Sequence, residues 1–137
     1  MIKIHHIGYA VQDLEKSINE FFELGYSKKG DTTHDHKRKV AIQFMKNGIH
    51  IIELIAPLSE SSPINSILMK VGNSPYHMCY EVDDMVSEIT RLSQKAYIVL
   101  EDAQEALAID RRRVAFLYHD DVGLIELIES ATGISST

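Results

Sequence analysis

The chain has 137 residues, of which 45% are hydrophobic and 25% charged, the size and balance of one globular domain with its own core. A formal charge of −6 excludes a binder of nucleic-acid phosphates, which needs clustered Lys and Arg. The single cysteine, Cys79, excludes an internal disulfide or a cysteine-built zinc site.

The N-terminus opens on a strand-like "IKIHHIGYAV" with no basic segment leading into an apolar run, and no 18-residue apolar stretch follows. A cytoplasmic protein without a membrane partner is expected. Asp13 then precedes "LEKSINEFFEL", whose Leu14, Ile18, Phe21 and Phe22 recur near the helical period, so Asp13 is the expected N-cap. Gly25 ends that helix as a left-handed residue would. Strands are predicted at 26–29, 38–46 and 49–56, the last two joined through the "KNG" turn. A linker with a short helix, "SPINSILMKVG", follows.

The second half repeats this order. "HIGYAVQDLEKSINEFFELGY" at 6–26 lies beside "HMCYEVDDMVSEITRLSQKAY" at 77–97 without a gap, pairing His6 with His77, Tyr9 with Tyr80, Val11 with Val82, Asp13 with Asp84, Ile18 with Ile89 and Tyr26 with Tyr97. Asp84 is therefore a second N-cap. "VAIQF" at 40–44 matches "VAFLY" at 114–118, and "IIELI" at 51–55 matches "LIELI" at 124–128. Strands are predicted at 97–100, 112–119 and 122–129, while "EDAQEALAIDRR" at 101–112 reads as irregular. The fold class is α+β: one domain over 1–137, built from βαβββ repeats at 1–57 and 75–130 with a linker at 58–74. The two sheets are expected to curl into a mixed-sheet cup.

Duplication singles out four residues, His6 and His77 on the first strand of each repeat, Glu53 and Glu126 on the last. A strand histidine is ordinarily a core or edge residue, and a glutamate ordinarily turns to water. Here "IIELI" is apolar on both parities, so Ile51 and Ile55 share the face of Glu53. A carboxylate in such surroundings costs several kcal/mol, on the order of the desolvation of one ion, unless it is paired or coordinated. Convergence of all four on one divalent cation resolves this, with imidazole and carboxylate suiting zinc, nickel, cobalt, iron or manganese.

Other candidates carry simpler readings. "HDH" at 34–36 is a polar loop, His5 faces away from His6 by alternation, and His50 and His119 lie at exposed turns. Cys79 shares the face of His77 as a small core residue. Arg111, Arg112 and Arg113 are either a solvated strand entry or a source of one planar fork for a substrate carboxylate or phosphate.

"HHIGYAVQDLEKSINEFFELGY", "IELIAPL", "HMCYEVDD" and "VAFLYHDDVGLIELIE" together resemble the vicinal-oxygen-chelate superfamily of glyoxalases, bleomycin-resistance proteins and extradiol dioxygenases, over residues 3–130. The likeness is greatest to methylmalonyl-CoA epimerases and to bacterial-type glyoxalase (lactoylglutathione lyase). It implies a metal-dependent lyase or isomerase that removes a proton beside a chelated carbonyl of a small-molecule carbonyl or thioester substrate. It further implies metal ligands at His6, Glu53, His77 and Glu126, catalytic roles for Glu126 and Glu53, and a homodimer. A metal-free binding protein of the same fold is the alternative, one with no need for all four ligand types. A ferrous dioxygenase would need only one carboxylate. The chain departs from the glyoxalase pattern at Ala10 and Pro57, and from the epimerase pattern at Ile42, Gln43 and "LAIDRR", so the resemblance reaches the metal ligands more fully than the substrate rim.

Overall fold

The computed structural model describes residues 2–131. Two compact units divide them, one spanning 6–76 and the other 77–131 together with 2–5. Nine strands and three α-helices are present among the described residues, and both parallel and antiparallel pairings occur, so the class is α+β as expected. No helix among them is long and apolar enough to cross a membrane.

The first unit runs β1 (Lys3–Ala10), α1 (Leu14–Glu23), β2 (Ser27–Lys28), β3 (Thr33–Asp35), β4 (Val40–Asn47), β5 (His50–Pro57) and α2 (Ile64–Val71). Its strand order is β2-β4-β5-β1, with β3 also on β4 and only β1–β5 parallel. Asp13 caps α1 as predicted, its carboxylate accepting from the Lys16 N–H at 3.1 Å. Gly25 has φ +90°, and the N–H groups of Gly25 and Tyr26 close on the carbonyls of Phe22 and Phe21. That pair of bonds is a Schellman end, which satisfies carbonyls the helix cannot. Val11, Ile18, Met45, Ile52, Leu54 and Ala56 form the core between α1 and one face of the sheet.

The second unit contains β6 (Ser74–Val82), α3 (Met85–Ser93), β7 (Ile98–Ala106), β8 (Arg112–His119) and β9 (Gly123–Glu129), in the order β6-β9-β8-β7. Asp84 accepts from the Ser87 N–H at 3.0 Å, repeating the Asp13 cap. At the other end of α3, Ala96 stands where Gly25 stands and takes φ +68°, while the Tyr97 N–H reaches the Leu92 carbonyl. An L-residue there is strained, so the second copy keeps the turn at some cost. The core comprises Val82, Met85, Leu92, Ala115, Leu117, Ile125 and Leu127.

Three sequence expectations need correction. Residues 101–106 are not irregular but the continuation of β7, and Leu107–Ile109 is a 3-10 turn. Register shifts between Val99 and Glu101 and between Glu101 and Gln104, together with three acidic residues, break the alternation that would have revealed the strand. His34 and Asp35 belong to β3 rather than to a loop. Asp35 is buried because it accepts from the Arg38 N–H and faces the Arg38 guanidinium. Finally, "VAIQF" and "VAFLY" are displaced by two residues: Phe44 pairs with Glu53, and it is Phe116, not Tyr118, that pairs with Glu126.

Candidate metal centre

The side of the sheet on which each glutamate lies follows from the cores. Ile52, Leu54 and Ala56 pack towards α1, so alternation along β5 sends Glu53 to the other face with Ile51 and Ile55. On β1, Tyr9 and Val11 belong to the α1 side, which leaves His6, Gly8 and Ala10 with Glu53. Gly8 stands directly beside Glu53 in the parallel register, one turn of the alternation from His6. In the second unit Ile125 and Leu127 pack under α3, and His77, Cys79 and Glu126 occupy the opposite face, with Cys79 in register with Glu126.

The structure brings each histidine to its own glutamate. His6 Nε2 is 3.1 Å from Glu53 Oε1, and His77 Nε2 is 3.1 Å from Glu126 Oε1. All four residues are at most 5% exposed, so neither pair is a solvated surface contact. The contact is a charge-assisted hydrogen bond in its own right. It is also the spacing that one cation imposes: two donors about 2.1 Å from a metal and at right angles lie roughly 3.0 Å apart. The donor set of imidazole nitrogen and carboxylate oxygen suits zinc and its first-row neighbours. The residues present therefore fit such an ion within each pair.

Two residues of this face escaped the sequence reading. Phe44 lies across the strand pair from Glu53 and meets the His6 ring edge to face, centroids 5.2 Å apart and planes at 84°. Phe116 does the same for Glu126 and His77, at 5.5 Å and 86°. The signal was present, a phenylalanine opposite each glutamate, but the two-residue displacement of the hairpins concealed it.

Apart from Cys79, which shares the face of His77, the remaining candidates fall elsewhere. His34, His36 and His50 are exposed, as read from the sequence. His119 is not: it is half-buried, stacks on Tyr97 at 4.6 Å, and its Nδ1 accepts from the Asp121 N–H. Cys79 is fully buried. Arg112 donates to Glu81 and to the Glu129 carbonyl, and Arg113 grips the Glu129 carboxylate with two bonds. The hydrogen bond from Arg113 holds the Glu129 carboxyl below its usual range, and the same bond raises the Arg113 pKa. Arg111 is exposed at φ +60°, its N–H on the Ala106 carbonyl.

The family described as Glyoxalase/Bleomycin resistance protein/Dioxygenase superfamily matches residues 5–116. The ethylmalonyl-CoA/methylmalonyl-CoA epimerase of Cereibacter sphaeroides is 29% identical over 128 residues, covering 91% of this chain and 96% of that protein. Among solved structures, methylmalonyl-CoA epimerase from Mycobacterium tuberculosis has a TM-score of 0.81 at 26% identity, over 98% of this chain and 91% of that one. A variant of the Streptomyces coelicolor methylmalonyl-CoA epimerase in complex with 2-nitronate-propionyl-CoA scores 0.78 at 26% identity, over 94% of each chain.

Proposed function

The chain belongs to the Glyoxalase/Bleomycin resistance protein/Dioxygenase superfamily, and we propose that it is an isomerase of epimerase type which holds one divalent cation with His6, Glu53, His77 and Glu126. The observation that carries this reading is the pair of buried His–Glu contacts at one and the same separation, 3.1 Å, in the two repeats. A fold needs no buried imidazole–carboxylate pair on the side of the sheet away from its helix, and a second copy with the same atoms in contact argues for a shared use. The epimerase relatives favour a malonyl-type thioester as the substrate class.

When bound, the cation would polarise a substrate carbonyl and lower the acidity barrier of the neighbouring C–H. Glu126, loosened from the cation, would take the proton as general base, the electrons of the substrate C–H bond passing into the carbonyl. Glu53, entering the step protonated, would deliver its proton to the same carbon from the other face, and water would then take the proton from Glu126 and return one to Glu53, so that configuration inverts and one proton is exchanged with solvent. Val40, Ile42 and Phe44, the β4 residues of that face nearest Glu53, are apolar, and Lys46 at its far end is exposed, which favours the buried carboxylates as the base. His6 and His77 would hold the cation through the Nε2 lone pair, the same atom that faces the carboxylate in each pair.

Incubation in deuterium oxide with metal and a panel of acyl-CoA thioesters tests the reading. Deuterium should enter the α-carbon of a true substrate, and Glu126→Gln should abolish that exchange while the protein still binds metal. Wild-type protein that takes up no zinc, nickel, cobalt, iron or manganese at micromolar concentration would instead leave a metal-free binding protein of the same fold.

A further inference from the structure

Phe44 and Phe116 are at matched places on the face of each unit that carries its histidine and glutamate. Each lies directly across the strand pair from the glutamate, and each stands almost perpendicular to the histidine ring of its own repeat. Their neighbours have not been kept alike: Gln43 and Met45 flank the first, Ala115 and Leu117 the second. We infer that Phe44 and Phe116 are positioning residues, aromatic braces that hold the two imidazoles with Nε2 turned towards the carboxylate and so prepare both pairs for a cation.

The need for a brace is torsional. The outer torsion of a histidine is broad and roughly two-fold, so the side chain itself does not choose which ring edge faces Glu53 or Glu126. A phenyl ring set perpendicular at 5.2 to 5.5 Å blocks that rotation, because turning the imidazole drives its edge into the phenyl. Edge-to-face geometry is also the favoured arrangement of the two quadrupoles. Nothing covalent fixes the imidazole otherwise, and a ligand that must first be oriented binds more weakly by the fraction of time it spends misaligned. Phe44 acts on His6 and Phe116 on His77, so each brace serves one repeat.

This inference rests on the proposed metal centre, and its test separates the two. Cobalt(II) is titrated into metal-free wild-type protein, Phe44→Leu, Phe116→Leu and the aromatic control Phe116→Tyr, reading visible absorption and affinity, with thermal unfolding of each metal-free form measured alongside. Leucine keeps apolar volume but has no flat ring. Each Phe→Leu variant should bind cobalt about three- to ten-fold more weakly, the range of one edge-to-face contact, with a changed absorption envelope, while Phe116→Tyr restores both. Leucine variants that are less stable yet bind cobalt with wild-type affinity and spectrum would overturn the braces and leave the metal centre standing. Wild-type protein that binds no cobalt, zinc or nickel would overturn the metal centre and the braces with it.

Discussion

Replacing His77 by alanine gives the most direct test of the metal centre, because the effect on the metal-free protein and the effect on metal binding separate. In the metal-free state the change removes a 3.1 Å hydrogen bond to a carboxylate whose side chain is 5% exposed. A hydrogen bond to a charged group contributes about 1.5–3 kcal/mol, so the variant should be less stable by roughly that amount before any metal is added. For the wild type, metal at a hundred times its dissociation constant adds about 2.7 kcal/mol by mass action. With 137 residues and about 2.1 cal/mol/K of unfolding entropy per residue, near 0.29 kcal/mol/K in all, that is a rise in Tm of about 9 °C. If losing the ligand weakens binding a hundredfold, the same metal concentration stabilises the variant by only about 0.4 kcal/mol, or little more than 1 °C. Differential scanning calorimetry with and without metal reads both quantities. An equal metal-induced shift in wild type and variant would refute the assignment of His77 as a ligand, whatever happens to the metal-free stability.

The left-handed residue after each helix gives a prediction of opposite sign in the two repeats. Ala96→Gly should stabilise by about 0.5–1 kcal/mol in urea unfolding, since the strain released at φ +68° exceeds the entropy glycine adds to the unfolded chain. Gly25→Ala should destabilise, because a Cβ there would meet Asn47 Nδ2 at 3.3 Å as well as the strained φ. The Arg113–Glu129 pair should appear in the acid limb of stability. Glu129 is depressed below its ordinary 4.5, so its contribution is present above that pH and is lost as the pH falls through the lower folded value. The stability difference between wild type and Arg113→Leu should thus be flat at neutral pH and close in acid, and it should be small because Arg113 is half-exposed and screened. Sedimentation should show a homodimer, and a monomer at micromolar concentration would count against it.

What could be read from the sequence was whatever local chemistry dictates. Asp13 and Asp84 are caps because a carboxylate before an amphipathic run has free N–H groups to accept from, and Gly25 is a helix end because only glycine takes that φ without strain. The His–Glu pairs were visible because a gapless repeat from 6 to 26 and 77 to 97 sets one histidine on the other. Long-range compensation was not legible. Gln43 is fully buried on the α1 side of β4, where the sequence offers no reason for an amide. The structure supplies the reason: its Nε2 donates to the Gly30 and Phe44 carbonyls while its Oε1 accepts from Thr32 Oγ. That side chain satisfies the stretch between β2 and β3 where the ladder is interrupted. The Phe braces were missed for a related reason, since cross-strand register depends on the length of the turn between the strands.

The turns also explain why the two halves drift without losing their chemistry. Asn47 pairs with His50 around a two-residue loop, Gly48 taking φ +62°, whereas His119 pairs with Gly123 around three residues. The extra residue shifts β9 by one position relative to β8 when the second repeat is compared with the first, yet Phe44–Glu53 and Phe116–Glu126 stay in register. The interrupted outer strand has diverged more: the first repeat carries two short strands and a buried glutamine, the second one bulged strand, β7, with Ala115 where Gln43 stands. Either solution satisfies the backbone, so the scaffold was free to change. The His–Glu separation was not, at 3.1 Å in both repeats, and neither was the perpendicular phenyl beside each histidine. Packing alone would have tolerated leucine at all four of those polar positions, and removing buried polar groups of that kind is often neutral or stabilising. Their retention in both copies is therefore better explained by a ligand they hold than by the fold they sit in.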